Sequence, residues 1–295
     1  MKNRKKRNER IFIILMLALP ILNFFVFYVY VNFNSIIMAF KVPVGDSEVW
    51  SLDNFRHMFQ EFSSGNSELT RALVNTMKYF VTGVLITVPL SYLLCYFLYK
   101  QVRGYKVYRV IFYLPSIISA SVLVALFRYS LAVDGPVSVL IGELGFGKLP
   151  PLFNMSQYAT NTIVFYTVAF GLGANLILFS GAMTNIDKSI IEAAKIDGAG
   201  MFREFIHIVI PMTWPTLSTV LIFQFVGIFS TSGPILLFTR GEFDTYTISY
   251  WIYDRVKFGA TYHYPSAVGL FFTLIGAPIA LCMRWLLTRF YYDDV

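Results

Sequence analysis

Residues 11–31, IFIILMLALPILNFFVFYVYV, form a run without a single charged side chain, and this run decides the fold. An α-helix rises 1.5 Å per residue, so about 20 apolar residues cross the roughly 30 Å hydrocarbon core of a bilayer. A secretory signal has a shorter apolar region followed by small residues, whereas Asn32, Phe33 and Asn34 follow here. We therefore expect residues 11–31 to remain as a membrane-spanning helix.

The rest of the chain repeats this pattern. Of its 295 residues 56% are hydrophobic and 14% are charged, which leaves too little polar surface to cover a water-soluble domain. The composition and the apolar runs predict an all-α membrane protein with six transmembrane helices, at residues 11–31, 72–99, 108–128, 159–183, 212–238 and 264–287.

Lysine and arginine are unevenly distributed between the segments that connect these runs. They concentrate in the N-terminus, in residues 100–109 and 184–210, and at the C-terminal end, and basic connecting segments stay in the cytoplasm. Both termini are therefore predicted to be cytoplasmic. The basic N-terminus suits anionic lipid headgroups, and no folded or aromatic context points to nucleic acid. The predicted organisation is a basic N-terminus (1–10), the first helix (11–31), an extracellular loop (32–71), a five-helix domain (72–287) and a cytoplasmic tail (288–295).

Enzymatic and ion-coupled chemistry find little support in the sequence. Few ionisable residues fall inside the spans, where proton-coupled carriers keep their relays. Residues 142–149, GELGFGKL, approach a phosphate-binding loop, but Leu149 replaces the required hydroxyl and prolines follow, so a glycine-rich turn is predicted. The three histidines lie on separate segments and do not suggest a zinc site.

The segment most informative about function is residues 184–211, TNIDKSIIEAAKIDGAGMFREFIHIVIP, the one cytoplasmic loop in which acids outnumber bases. Its first half predicts a short helix that begins at Asp187 and ends near Gly198 and Gly200. Its second half predicts an apolar stripe along a second helix, with Arg203, Glu204 and His207 outside the stripe. The stripe consists of Phe202, Phe205, Ile206, Val209 and Ile210.

The small side chains of the first helix indicate a docking surface more than an active site. Ile191, Ala194 and Gly198 share a face that another backbone can approach closely, and one carboxylate, Glu192, could fix the register of docking by a charged hydrogen bond. A local alternative is a capping box, in which Ser189 and Glu192 satisfy the start of their own helix.

At this loop the sequence resembles the integral membrane subunits of binding-protein-dependent ABC importers, whose signature is E-A-A, a glycine further on, and then I-x-L-P. The extended form E-A-A-x-I-D-G-A, common in the sugar-importing branch, is complete from Glu192 to Ala199. Ile210 stands where the family usually has leucine, a volume-conserving exchange. The matching positions are Glu192, Ala193, Ala194, Gly198, Ile208 and Pro211.

The resemblance implies a type I importer permease fold, in which the loop is a coupling helix held by a separate cytoplasmic ATPase. It implies that this chain is not an enzyme and carries no cofactor, since ATP and Mg²⁺ would bind the ATPase. The implied partners are a second and different permease subunit, two ATPase subunits, an extracellular solute-binding protein, a sugar or oligosaccharide, and the lipid of the cell membrane. The implied docking residues are Glu192, Ala193, Ala194, Asp197 and Gly198.

Polar and aromatic residues inside the spans are the candidates for the substrate path. Amides and hydroxyls bind sugar hydroxyls, and aromatic faces stack on sugar rings. The alternative is that these side chains only bond neighbouring helices. The candidates are Asn175 on the fourth span and Gln224, Phe229, Ser230 and Thr231 on the fifth.

A different class of function would use residues 184–211 as an ordinary amphipathic connector. The chain would then be an ion-coupled carrier or another membrane protein or enzyme, active without an ATPase partner.

Overall fold

The computed structural model describes residues 2–45, 47–259 and 261–292, with side chains described from residue 11 to residue 289. Met1, and residues 293–295 of the predicted tail 288–295, lie outside this range. Three π-helical turns, Phe24–Tyr30, Gly83–Thr87 and Phe205–Val209, continue their neighbouring helices without a break. The helices are α1 (Lys2–Asn23), α2 (Val31–Ala39), α3 (Asp53–Ser63), α4 (Glu68–Thr82), α5 (Val88–Tyr99), α6 (Tyr105–Ile117), α7 (Ala120–Ser130), α8 (Pro136–Glu143), α9 (Ala159–Thr184), α10 (Lys188–Ile196), α11 (Met201–Glu204), α12 (Ile210–Val226), α13 (Ile235–Phe238), α14 (Ile248–Phe258) and α15 (His263–Tyr292), and the strands are β1 (Lys41–Val44) and β2 (Ser47–Trp50).

The predicted all-α membrane architecture is confirmed in the described part of the chain. Five continuous helical stretches there are long and apolar enough to cross a bilayer. Several extend beyond the predicted apolar runs, because polar residues at a helix end still make backbone hydrogen bonds outside the hydrocarbon. The stretches are Ile11–Ala39, Glu68–Tyr99, Ala159–Thr184, Met201–Val226 and His263–Arg289.

The third predicted span, residues 108–128, is bent rather than straight. Its two halves, α6 and α7, meet at an angle of 109°, and only together are they long enough to cross a bilayer. Ile118 and Ser119 have extended backbones, with ψ of 141° and 134°, which ends α6 and starts α7 in a new direction. Hydrophobicity alone could not reveal this break, because no charged residue interrupts the run between Arg109 and Arg128.

The fifth span ends earlier than the predicted residue 238. Helix α12 stops at Val226, and turns lead from there to the short helix α13. Gly233 has a positive φ of 56°, which a continuing helix cannot contain, and Pro234 follows it. Phe229 and Ser230 therefore lie in a turn, and Thr231 in the irregular segment after it, and not on the helix where the sequence placed them.

The contacts divide the chain into two compact units, of which the first holds residues 1–63 and 252–272. Within it β1 and β2 form an antiparallel hairpin, with Lys41 opposite Trp50. Asn54, on α3, donates hydrogen bonds to the carbonyl oxygens of Ala39 and Lys41 over 3.1 and 2.8 Å. The region predicted as the loop 32–71 is thus largely regular structure.

The second unit, residues 64–251 and 273–295, contains the site described below. Helix α9 packs against α5, α6 and α12, and their buried side chains form a core that continues into the 184–211 segment. Ile191 and Val209, both from that segment, belong to this core. The core therefore joins the segment to the membrane helices.

Candidate functional site

Helix α10 has well-formed ends, as the sequence predicted. The Asp187 carboxylate accepts a hydrogen bond of 2.9 Å from the Ser189 amide, and this bond lowers the pKa of the Asp187 carboxyl. At the other end Gly198 adopts a φ of 76°, and the Ala199 amide donates to the Ala194 carbonyl oxygen over 2.9 Å. The helix is thereby fixed at both ends by local interactions.

The capping residue is Asp187 rather than Ser189, which decides against the capping-box alternative. Glu192 is exposed and makes no hydrogen bond or ion pair with any residue that the structure describes. Its carboxylate is therefore available to another molecule.

The two faces of α10 differ in exposure. Glu192 and Ala193 lie on the exposed face, where the Ile196 side chain is 86% exposed. Ile191 and Ala194 lie on the opposite face and are buried against this chain. Of the predicted docking residues, Glu192, Ala193, Asp197 and Gly198 are exposed, whereas Ala194 contributes to the chain's own packing.

The sequence did not predict the burial of Glu204. This residue was expected outside the apolar stripe, but only 2% of its surface is exposed. Lys100 Nζ, at the end of α5, lies 2.9 Å from both carboxylate oxygens of Glu204. The Tyr96 hydroxyl lies 3.2 Å from Glu204 Oε1 and donates to the Met201 carbonyl oxygen over 2.9 Å. These bonds join the 184–211 segment to α5.

The predicted apolar stripe is confirmed only in part, because Phe205, Val209 and Ile210 pack in the core, whereas Phe202 and Ile206 are exposed. Phe202 was expected to be buried, yet its side chain is 76% exposed. The π-helical turn Phe205–Val209 has more residues per turn than the 3.6 on which the predicted stripe was based, and Ile206 within it is 38% exposed. The only sequence signals for the true arrangement are an acid at position 204 and a lysine at the end of the second span.

The predicted substrate-path residues do not form one cluster of hydrogen bonds. Among the described residues, Asn175, Gln224 and Ser230 have no side-chain hydrogen bond, so the alternative of bonds to neighbouring helices does not hold for them. The Thr231 hydroxyl bonds the Gly227 carbonyl oxygen in its own turn.

Two of these residues contact the glycines of other spanning helices. A Cβ on Gly83 would lie 3.1 Å from Gln224 Oε1, and one on Gly276 would lie 3.1 Å from the Phe229 ring. Gly83 and Gly276 thus allow Gln224 and Phe229 to approach closely, and a larger side chain at either glycine would need its neighbour to move.

The glycine-rich segment 142–149 contains the predicted turn, which follows the end of α8 at Glu143. Gly145 and Gly147 have positive φ angles, and residues 148–151 after them are not helical. Lys148 is bound to Asp134 over 2.7 Å. A phosphate-binding loop needs a following helix whose N-terminal amides face the phosphate, and this segment has none.

Comparisons with known proteins agree with this architecture. A family model described as "Binding-protein-dependent transport system inner membrane component" matches residues 88–291. The chain is 30% identical to the probable ABC transporter permease protein YesP of Bacillus subtilis (strain 168) over 192 residues, which are 65% of this chain and 60% of YesP. It is 28% identical to the lactose transport system permease protein LacF of Rhizobium radiobacter over 254 residues, 81% of this chain and 85% of LacF.

The fold also matches a solved structure. A chain from a bacterial ABC transporter involved in the import of the acidic polysaccharide alginate aligns with a TM-score of 0.82 and 23% identity, over 97% of this chain and 99% of that one. Since the family model covers most of the sequence, including α9, α10 and α12, this protein belongs to the family of inner membrane components of binding-protein-dependent transport systems.

Proposed function

We propose that the chain is a pore-forming permease subunit of an ATP-driven importer that carries a sugar or an oligosaccharide across the cell membrane. The observation that supports this most directly is the exposed face of α10, where the Glu192 carboxylate is unpaired among the described residues and Ile196 is 86% exposed. A charged group and an apolar side chain left uncovered beside each other are typical of a protein interface.

The partner at this face would be a cytoplasmic ATPase with a groove that accepts a narrow helix. Ala193 permits close backbone approach, Ile196 would fill an apolar pocket, and Glu192 would pair with a basic residue at the groove. ATP and Mg²⁺ would bind that subunit. The remaining partners would be a second, different permease, a second ATPase subunit and an extracellular solute-binding protein.

The same helix is built to transmit movement into the membrane. Ile191 and Ala194 pack its inner face against the rest of the chain, and the Glu204–Lys100 ion pair joins the next helix, α11, to the end of α5. A displacement of α10 by the ATPase would thus carry the end of α5 with it. Alternating access would follow from that shift, with no bond in the substrate broken.

The sugar class of the substrate is supported by the named activity of relatives and by the span residues. LacF is named for lactose, and the structural neighbour takes part in alginate import. Asn175, Gln224 and Ser230, with hydrogen-bonding groups unused among the described residues, and the partly buried ring of Phe229 would line the path.

The test is purification of the tagged chain from membranes that express its whole transport system, followed by identification of the bound subunits. A nucleotide-hydrolysing subunit that crosslinks to position 193 is the expected result. A chain that transports alone, with no ATPase bound, would contradict the proposal and favour an ion-coupled carrier.

A further inference from the structure

A polar cavity of about 290 Å³ lies at the opposite end of α9 from α10. It lies between the N-terminal parts of α4 and α9 and the turn that follows α13. Its volume is at the lower end of the ~300–1,000 Å³ range of small-molecule sites, so it suits one part of a larger ligand. The side chains that the argument uses are Arg71, Asn75, Lys78, Gln157, Asn161 and Asp244.

The turn that forms one wall has an unusual backbone. Arg240, Phe243 and Asp244 all have φ between 53° and 58°, a region that residues other than glycine rarely adopt. Gly241, at a φ of 85°, lies against the Tyr246 ring, where a Cβ would overlap the ring. Strained backbone of this kind concentrates at functional sites.

Several side chains hold the turn in place. Asn75 Nδ2 donates to the carbonyl oxygens of Asp244 and Tyr246 over 2.6 and 3.0 Å, and the Thr160 hydroxyl donates to that of Asp244 over 3.3 Å. Arg71 Nε pairs with Asp244 Oδ1 at 3.0 Å. The wall is therefore fixed by both helices, and the Asp244 carboxylate is held at the cavity.

The charges of the lining leave one cation unbalanced. Arg71 and Asp244 neutralise each other, whereas Lys78 has no acidic partner among the residues that the structure describes. The amides of Gln157 and Asn161 are exposed and make no side-chain hydrogen bond with a described residue. A charged residue on a spanning helix is generally functional, and Lys78 lies on Glu68–Tyr99.

We propose that this cavity is a subsite for the carboxylate-bearing sugar unit of an acidic oligosaccharide. Lys78 contacts the carboxylate, while Gln157, Asn161 and the second oxygen of Asp244 bind hydroxyl groups. A sugar acid carries both an anion and hydroxyl donors, and the lining offers a partner to each. A lipid phosphodiester has no proton to donate to Asp244, so a lipid competes for this lining only where its headgroup also carries hydroxyl groups, as in phosphatidylglycerol. This inference rests on the proposed import of a carbohydrate and names its class.

The test measures the affinity of the membrane-embedded importer, assembled in lipid nanodiscs without its solute-binding protein, for trigalacturonic acid and for its methyl ester, which keeps the hydroxyls and loses the charge. We expect the acid to bind about 10-fold more tightly, the size of one charge-assisted hydrogen bond. Lys78→Met should remove this preference without changing affinity for the ester, and Lys78→Arg should keep it. Lys106→Met, at another exposed lysine without a described partner, is the matched control.

Equal binding of acid and ester by the wild type, or no binding of the acid, would overturn the subsite. An equal loss of both ligands in Lys78→Met would assign Lys78 to structure. If the preference for the acid disappears when phosphatidylglycerol is added, the cavity would instead be a site for lipid headgroups. All of these results leave the proposed function standing, because the ATPase crosslink at position 193 tests that function separately.

Discussion

Glu192 and Glu204 belong to the same segment, residues 184–211, yet their surroundings are opposite. Glu192 is exposed and unpaired among the described residues, whereas Glu204 is 2% exposed and bound by Lys100 and Tyr96. A carboxylate is easily left in water but is costly to bury without a partner. The two carboxylates therefore have different roles: Glu192 is available for contact with another subunit, and Glu204 anchors the segment that makes this contact.

The largest expected effect comes from Glu204→Ala, which leaves the Lys100 ammonium, only 17% exposed, without its partner. Removing one member of a buried ion pair should lower the free energy of unfolding by about 2–3 kcal/mol. Unfolding of the purified protein in detergent, followed by tryptophan fluorescence, measures it. We also expect uptake to fall. A stability equal to that of the wild type would show that the pair is no anchor.

Glu192→Lys should abolish most of the uptake with little change in stability, because the exposed side chain has no described partner to lose. The measurements are uptake and ATP hydrolysis by the complete importer in proteoliposomes. We expect hydrolysis to become independent of solute. Lys106→Glu, at an exposed lysine near the start of α6, controls for a general effect of charge reversal. Uptake at the wild-type level by Glu192→Lys would contradict the role of Glu192 in contact with another subunit.

Gly198→Ala tests whether the end of α10 requires a glycine, because Gly198 has a φ of 76°. Nothing lies within 4 Å of the new Cβ, so the effect comes only from the φ of 76° and should be about 1 kcal/mol. Gly200→Ala is the matched control, since its site is equally open and its φ is −69°. Equal thermal stability of the two variants would contradict a strained helix end.

The smallest effect is expected at Asp187, the cap of α10. Its pKa is lowered in the folded protein, so its charged form adds stability above the ordinary carboxyl pKa, and this stability is lost as the pH falls through the lowered value. Asp187→Ala should therefore be less stable than the wild type at pH 7, and this difference should shrink in acid. Asp187→Asn keeps a capping oxygen and should show less dependence on pH. Thermal unfolding between pH 7 and pH 3 measures this.

Most of the fold could be predicted because each feature needed only neighbouring residues. The apolar runs near residues 11–31 and 159–183 are helices in the structure, since in hydrocarbon a backbone can satisfy its hydrogen bonds only within itself. The cap at Asp187 and the end at Gly198 are likewise local. The docking face could be predicted only in part, since burial of Ala194 depends on what lies behind α10.

The sequence by itself determined that this chain spans a membrane, and it located the short helix, with Glu192, Ala193 and Ala194, that resembles a coupling helix. Only the tertiary structure decided that Glu204 is an anchor, that Asp244 and Lys78 reach one cavity, and that residues 229–231 lie beyond the end of α12. The reason is the distance along the chain over which each interaction acts. Helix length and caps depend on residues within a few positions, whereas the Lys100–Glu204 pair and the Asn75–Asp244 bond join residues more than 100 positions apart.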